Sequence, residues 1–201
     1  MTEARMKAQM RREFLQRRAA IPEAERRELD AAICANLLRL KPFREASAVA
    51  LYASDGTEPE LSPLLRLAGG KRFLLPRYNA AAGEYGLAEV SDWTRDLRPG
   101  RYGLPEPRPE IPEEPEDSVR EEVLFLTPAV ACDRRGGRLG RGGGFYDRLL
   151  ARAGRPAAAV IYHCQWSSAF SLEPHDRRVG FVVTECEIYE VPGVSGVSRS
   201  E

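Results

Sequence analysis

The chain has 201 residues, 43% of them hydrophobic and 30% charged, which suits one globular domain with a real core and leaves too little for two full ones. Thirty Lys and Arg offset thirty Asp and Glu, so there is no global attraction for nucleic acid and most of the charge reads as solvated surface. Four scattered cysteines (Cys34, Cys132, Cys164, Cys186) with only His163 and His175 beside them offer no clustered zinc ligands, and no run of about 18 apolar residues is present to span a bilayer. The basic, amphipathic start does not look like a secretory leader, so a reducing cytoplasm is the expected location. Mitochondrial import stays open, because an Arg-rich amphipathic start also resembles a transit peptide.

Residues 4 to 40 read as two helices. Met6, Met10 and Phe14 recur every four residues, and Ile21-Pro22-Glu23 interrupts before a second helix that ends near Leu40. At 100° per residue Lys7, Arg11, Phe14 and Arg18 fall within about 60° of one another. The first helix can therefore pack an apolar edge and aim a row of cations at a neighbouring cleft, or simply present a solvated basic face. Short apolar runs follow at 46–53, 72–76, 122–127, 157–162 and 180–184. Continuous apolar strands predict a sheet covered on both faces, hence an α/β fold with a mainly parallel sheet, its crossover helices starting after Pro59 and Gly144.

Between the first two of those strands lies Tyr52-Ala-Ser-Asp-Gly-Thr-Glu58. Sheet ligands bind beyond the carboxyl ends of strands. Glu58 falls there, either as an acceptor for a ligand's N–H groups or as an ordinary glutamate in a helix's first turn. The stretch 99–115 holds six prolines and reads as a long surface loop. Residues 1–190 form the expected single domain, and 191–201, small and polar, a tail without fixed structure.

The most informative segment is 127–150, where a strand runs into Gly136, Gly137, Gly140, Gly142, Gly143 and Gly144, interleaved with Arg138 and Arg141, and then into a helix. Glycine lets backbone N–H groups crowd round an anion, arginine neutralises it, and a helix N-terminus adds its dipole. The pattern is neither G-x-x-x-x-G-K-[ST] nor G-x-G-x-x-G at a strand-to-helix turn. A phosphate site is the expectation over a flexible loop with incidental arginines, with Asp147 either a hard oxygen ligand for magnesium or a charge at the helix N-terminus.

Taken in order, these residues resemble the 5-formyltetrahydrofolate cyclo-ligase (5,10-methenyltetrahydrofolate synthetase) family. The likeness runs from Lys7 to Glu185 through K-x-x-x-R (Lys7–Arg11), Y-x-S-D-G-x-E (Tyr52–Glu58), LPRY (Leu75–Tyr78), YGLPEP (Tyr102–Pro107), DRRGGRLGRGGGFYD (Asp133–Asp147), Gln165 and H-D with V-V-T-E (His175–Glu185). The resemblance implies a three-layer α/β/α sandwich. It implies ATP binding by Lys7, Arg11, Arg138, Leu139, Gly140, Arg141, Gly142, Gly143, Gly144, Phe145 and Tyr146, with Arg141, Arg138 and Lys7 acting on phosphate charge. Folate contacts fall to Ala53, Glu58, Tyr102 and the loop from Arg141 to Phe145, and Mg²⁺ to Asp147 and Asp176. Two departures stand out: Ala129-Val130-Ala131-Cys132 where G-L-A-F is usual, and Phe145 where tyrosine is common. Neither removes a charged participant.

The activity so implied is ATP- and Mg-dependent ring closure of 5-formyltetrahydrofolate by a monomer that binds small molecules and neither nucleic acid nor membrane. Two rivals share the scaffold: another ATP-dependent small-molecule kinase, and a non-catalytic anion-binding or RNA-associated regulator.

Overall fold

The computed structural model describes residues 3–194 except 152, 154–156, 169, 171, 174 and 175, and of 102 and 120–122 the backbone alone. Two long helices, α1 (Glu3–Ala19) and α2 (Glu23–Arg39), open the chain, followed by α3 (Lys41–Glu45), β1 (Ala48–Ala50), α4 (Leu64–Leu67), β2 (Arg72–Asn79) and β3 (Glu84–Glu89). Then come β4 (Leu97–Pro99), β5 (Pro105–Pro107), α5 (Glu116–Glu122), β6 (Val123–Pro128), β7 (Ala131–Cys132) and β8 (Arg138–Leu139). The chain closes with α6 (Phe145–Leu150), β9 (Ala158–Val160), β10 (Phe181–Val183) and β11 (Ile188–Glu190).

Seven strands form one sheet in the order β11-β10-β9-β6-β1-β2-β3. The five central strands are parallel, and each edge carries one antiparallel strand. Alternate residues face opposite layers. Val49, Leu124, Val160 and Val183 pack under Ile33 and Leu37 of α2 and Phe43 of α3. Ala48, Phe125, Ala159 and Val182 pack under Val119 of α5 and Leu149 and Leu150 of α6. This is the expected three-layer α/β/α arrangement. Each fully buried Leu or Phe in these layers contributes about 1.5–3 kcal/mol. No helix among the described residues is long and apolar enough to cross a membrane.

Several expected boundaries move. The strand read as 72–76 runs on to Asn79, through Pro76. Proline is tolerated there because β1 pairs only with Arg72–Leu74, so the missing donor faces no partner strand. The first strand is confined to 48–50, and the helix expected after Pro59 is the short α4. The proline-rich stretch is also no slack loop. β4 and β5 form a hairpin, Glu113 bridges to Ala88, and Arg77 donates to the carbonyls of Arg108 and Ile111, both at 2.6 Å. Of the tail, Val191 is buried and a turn occupies 192–194, while 195–201 lie outside the described residues.

Candidate active site

Helix α1 lies against the glycine-rich segment. Phe14 packs with Val130, Ala131, Leu139 and Phe170 in a small apolar cluster of their own. The apolar edge differs from what the spacing suggests, since Met6 is exposed while Met10, Phe14 and Leu15 meet the cluster. This docking turns the basic row inward. Lys7 Nζ donates to Glu173 Oε1 at 3.0 Å and lies 3.8 Å from Asp176 Oδ2, and Arg11 Nε donates to the carbonyl of Gly140 at 2.8 Å. Burial works against the Lys7 charge, but the Glu173 hydrogen bond, the Asp176 and Glu173 charges and Glu3 outweigh it and raise its pKa.

The segment between β6 and α6 is more ordered than a plain loop. β7 and β8 pair as a hairpin whose turn is built on Asp133, fully buried, with Oδ1 accepting from the backbone N–H of Arg135 and Gly137, both at 2.9 Å. A Cβ on Gly137 would lie 3.0 Å from that oxygen, which explains the glycine. Leu139 is buried in the cluster under α1. Gly142 (φ 99°) and Gly144 (φ 63°) take left-handed conformations, and α6 starts at Phe145 with no side-chain cap, Arg148 donating back to the carbonyl of Gly143 at 3.0 Å. The glycines therefore shape a bend round the approach to α6, as anion binding requires.

The two loop arginines have different surroundings. Arg141 is more than half exposed, and its guanidinium pairs with Asp55 and lies 3.8 Å from Glu58 Oε1. Burial and the nearby Arg18 lower its pKa. Arg138, on β8, has a side chain only 2% exposed and donates to Asp147 Oδ1 at 2.8 Å. The phosphate cation and the magnesium carboxylate expected from sequence thus neutralise each other here. Arg138 Nε is buried without a partner among the described residues.

Glu58 sits outside any helix, so the first-turn reading falls away. It is buried, and Oε1 accepts from Arg18 Nη1 at 3.4 Å. Arg18 is the largest fully buried side chain among the described residues and donates Nη2 to Asp55 Oδ2 at 3.2 Å. Asp55 builds the turn, its Oδ1 accepting from the N–H of Thr57 (2.9 Å) and of Glu58 (3.0 Å). Burial raises the pKa of Glu58 and Arg18 pulls it back only in part. Tyr146 lies close enough that the Glu58 charge, after burial, helps keep its hydroxyl protonated. A cleft of about 360 Å³ opens between Glu58, Ser54, Glu60 and the first turns of α2.

Other expected residues fall as follows. Ala53 is buried at the end of β1's run, and Tyr102 belongs to the turn at Arg101–Gly103, its side chain outside those described. Gln165 is structural: fully buried, it donates to the carbonyls of Ala129 (2.8 Å) and Val130 (2.9 Å) and tethers the segment before β7. His175 lies outside the described residues. Burial pushes the thiols of Cys34 and Cys132 up to about 12, so neither serves as a nucleophile.

Magnesium keeps much of its water and takes one or two carboxylates plus phosphate oxygens. The N–H of Arg177 donates to Asp147 Oδ1 at 3.2 Å, which brings Asp176 within one residue of that contact, beside Lys7. No group of three or more His, Cys, Asp or Glu able to hold an ion occurs among the described residues. The donor set fits a magnesium ion that arrives on nucleotide phosphates, and does not fit one held by protein alone.

A model of the 5-formyltetrahydrofolate cyclo-ligase family matches residues 3–185. The chain is 38% identical over 192 residues to a 5-formyltetrahydrofolate cyclo-ligase of Mycolicibacterium smegmatis, covering 90% of this chain and 94% of that one. It is 29% identical to the enzyme of that name from Escherichia coli K12, over 87% of this chain and 98% of the other. Among solved structures, Aquifex aeolicus 5,10-methenyltetrahydrofolate synthetase superposes with a TM-score of 0.81 at 30% identity, covering 98% and 97% of the two chains. The synthetase from Mycoplasma pneumoniae shares the fold at a TM-score of 0.69 and 22% identity, covering 89% and 98%. The matched span begins at the first turn of α1 and ends beyond β10, so it takes in the basic row, the Glu58 turn and the glycine segment together, and the chain belongs to the 5-formyltetrahydrofolate cyclo-ligase family.

Proposed function

We propose that this enzyme closes 5-formyltetrahydrofolate to 5,10-methenyltetrahydrofolate, consuming ATP and releasing ADP and phosphate. The observation that carries this reading is the reach of Arg141 from the glycine segment to Asp55 and Glu58. A loop suited to phosphate and a buried carboxylate suited to a pterin's N–H groups thereby border one space.

The N5-formyl group is an amide whose oxygen leaves poorly. That oxygen attacks the γ-phosphorus, ADP departs, and the carbon is left joined to a phosphate ester. N10 then attacks the carbon, the C–O bond breaks, phosphate carries the former formyl oxygen away, and the N10 proton passes to solvent. The protein's work is positioning and charge neutralisation. Arg141 exchanges Asp55 for the transferring phosphoryl group, Lys7 and Arg11 approach the phosphates from α1, and the backbone N–H groups of Gly142–Gly144 line their path. Glu58 orients the pterin, with Arg18 keeping its carboxylate charged. Asp147 and Asp176 would hold magnesium, which when bound with ATP offsets the negative charge of the β- and γ-phosphates. The enzyme acts as a monomer in the cytoplasm, where free cysteines persist.

Incubating the purified protein with 5-formyltetrahydrofolate and Mg-ATP tests the proposal. Methenyl absorbance should appear in the near ultraviolet, one equivalent per ADP. ADP without methenyl product would favour a kinase, and neither product from folded protein would overturn catalysis altogether.

A further inference from the structure

The β4–β5 hairpin has a use that neither the glycine segment nor the Glu58 turn accounts for. Glu106, in β5, is buried, with Oε1 accepting from the N–H of Arg101 at 3.0 Å and Oε2 from the N–H of Tyr78 at 3.3 Å. One carboxylate thus ties the hairpin tip to the far end of β2. Gly100 makes the tie possible, since a Cβ there would lie 2.3 Å from the Glu106 side chain. The tie sets the Arg101 guanidinium over the Tyr78 ring, 4.0 Å from its centroid.

Tyr78 is one end of an aromatic row. Its centroid is 5.1 Å from that of Tyr85, Tyr85 is 4.3 Å from Phe145, and Phe145 is 4.6 Å from Tyr146. The other end lies beside the Glu58 turn, where Tyr146 packs against the cluster that holds Tyr52 and Ala53. So a row of rings, each turned steeply against the next, leads from the Glu58 turn, past the start of α6, to an exposed cation. A folate has the same order of parts: a bicyclic ring carrying N–H donors, a benzoyl ring, and one or more glutamyl carboxylates. Aromatic rings pack on one another face to face or edge to face, and a guanidinium carried on a tyrosine ring still has five N–H donors in a planar fork that matches a carboxylate.

We propose that Arg101 forms the subsite for the substrate's glutamyl carboxylates, and that Glu106 is the positioning residue that holds it there. The proposal rests on the folate reading above and adds which part of the substrate the proline-rich hairpin selects. Arg101 touches no reacting atom in this scheme, so its loss should leave kcat alone.

Two measurements on Arg101→Gln keep the proposal separable from the cyclisation reading. The first is equilibrium binding of 5-formyltetrahydrofolate and of 5-formyltetrahydropteroate, which lacks the glutamate, followed by fluorescence quenching without ATP. Wild type should prefer the glutamyl ligand by roughly five- to tenfold, the scale of one partly screened charge-assisted pair, and the variant should lose that preference while binding the pteroate form as before. The second is turnover, where KM for the glutamyl substrate should rise by the same factor at constant kcat. Glu106→Gln should lose the same discrimination, and Arg101→Gln/Glu106→Gln should lose no more than either alone. Equal weakening of both ligands, or no change in either, would overturn the Arg101 subsite, and additive losses would overturn the positioning role. Absent turnover with intact discrimination would sink cyclisation and leave the subsite standing.

Discussion

Arg18 is the residue whose removal the structure prices most directly. Its side chain is 1% exposed and bridges Glu58, 10% exposed, and Asp55, 19% exposed. Arg18→Met keeps the length and the packing of the stem but strips both carboxylates of their buried cation. Asp55 keeps Arg141, whereas Glu58 keeps that exposed guanidinium at 3.8 Å and the backbone N–H of Asp55 at 3.4 Å. Removing one member of a buried pair costs about 3–5 kcal/mol, which for a chain of this size lowers Tm by roughly 6–20 °C. The loss should depend on pH. Burial already holds the folded pKa of Glu58 above its ordinary value, and losing Arg18 raises it further. Below the unfolded pKa, about 4.3, both states are neutral and the Glu58 penalty is absent; it sets in as pH rises and is complete above the folded pKa. Urea unfolding at pH 7 and pH 5 should therefore show the variant's deficit shrinking at the lower pH. Arg18→Met/Glu58→Gln should recover part of it at pH 7. A deficit below about 0.5 kcal/mol at pH 7 or one identical at both pH values would refute the assignment of Arg18 as the cation that keeps Glu58 ionised.

Glu58→Gln should weaken folate binding by roughly tenfold or more while leaving ATP affinity within about twofold, because the amide turns a donor toward the pterin's donors; calorimetric titration with each ligand checks it. Arg141→Ala should fold normally, its side chain being mostly exposed, yet lose about a hundredfold in kcat, and near wild-type turnover would remove it from the phosphoryl site. Asp147→Asn should shift the magnesium activation curve to higher concentration at saturating ATP, with folate affinity little changed. An unchanged curve would leave Asp147 as the partner of Arg138 and of the Arg177 backbone, with no part in magnesium binding.

The parallel core was legible because 73–75, 123–126 and 181–183 are unbroken apolar runs, as strands buried on both faces must be. The antiparallel edges were not. Glu84–Glu89 and Ile188–Glu190 each keep a face toward solvent and mix charge with apolar residues, so neither stands out as a strand. Pro76 suggested a stop that the short β1 makes unnecessary. In the site, the glycine segment and Glu58 announced themselves through local chemistry. Arg18 and Asp55 did not meet on paper, because 37 residues separate them and only the docking of α1 joins them. The Ser-Asp-Gly-Thr turn at 54–57 was the signal for Asp55, since an aspartate before glycine so often caps its own turn. The burial of Arg138 was hidden by its place among glycines, where a two-residue strand leaves no pattern.

Arg141 reaches both Asp55 and Glu58 through a single nitrogen, Nη2, so a phosphate drawn to that nitrogen competes with the two carboxylates. If Arg141 turns to the nucleotide, Asp55 is left with Arg18 alone, and Arg18 must then hold two carboxylates. The turn that carries Glu58 is built on Asp55, so the two ligands share a thermodynamic account of their own: whatever factor bound nucleotide applies to folate affinity, bound folate must apply to nucleotide affinity. Saturation curves for either substrate therefore shift with the concentration of the other, and the direction of that shift reports whether Arg141 helps or hinders the Glu58 turn when it leaves.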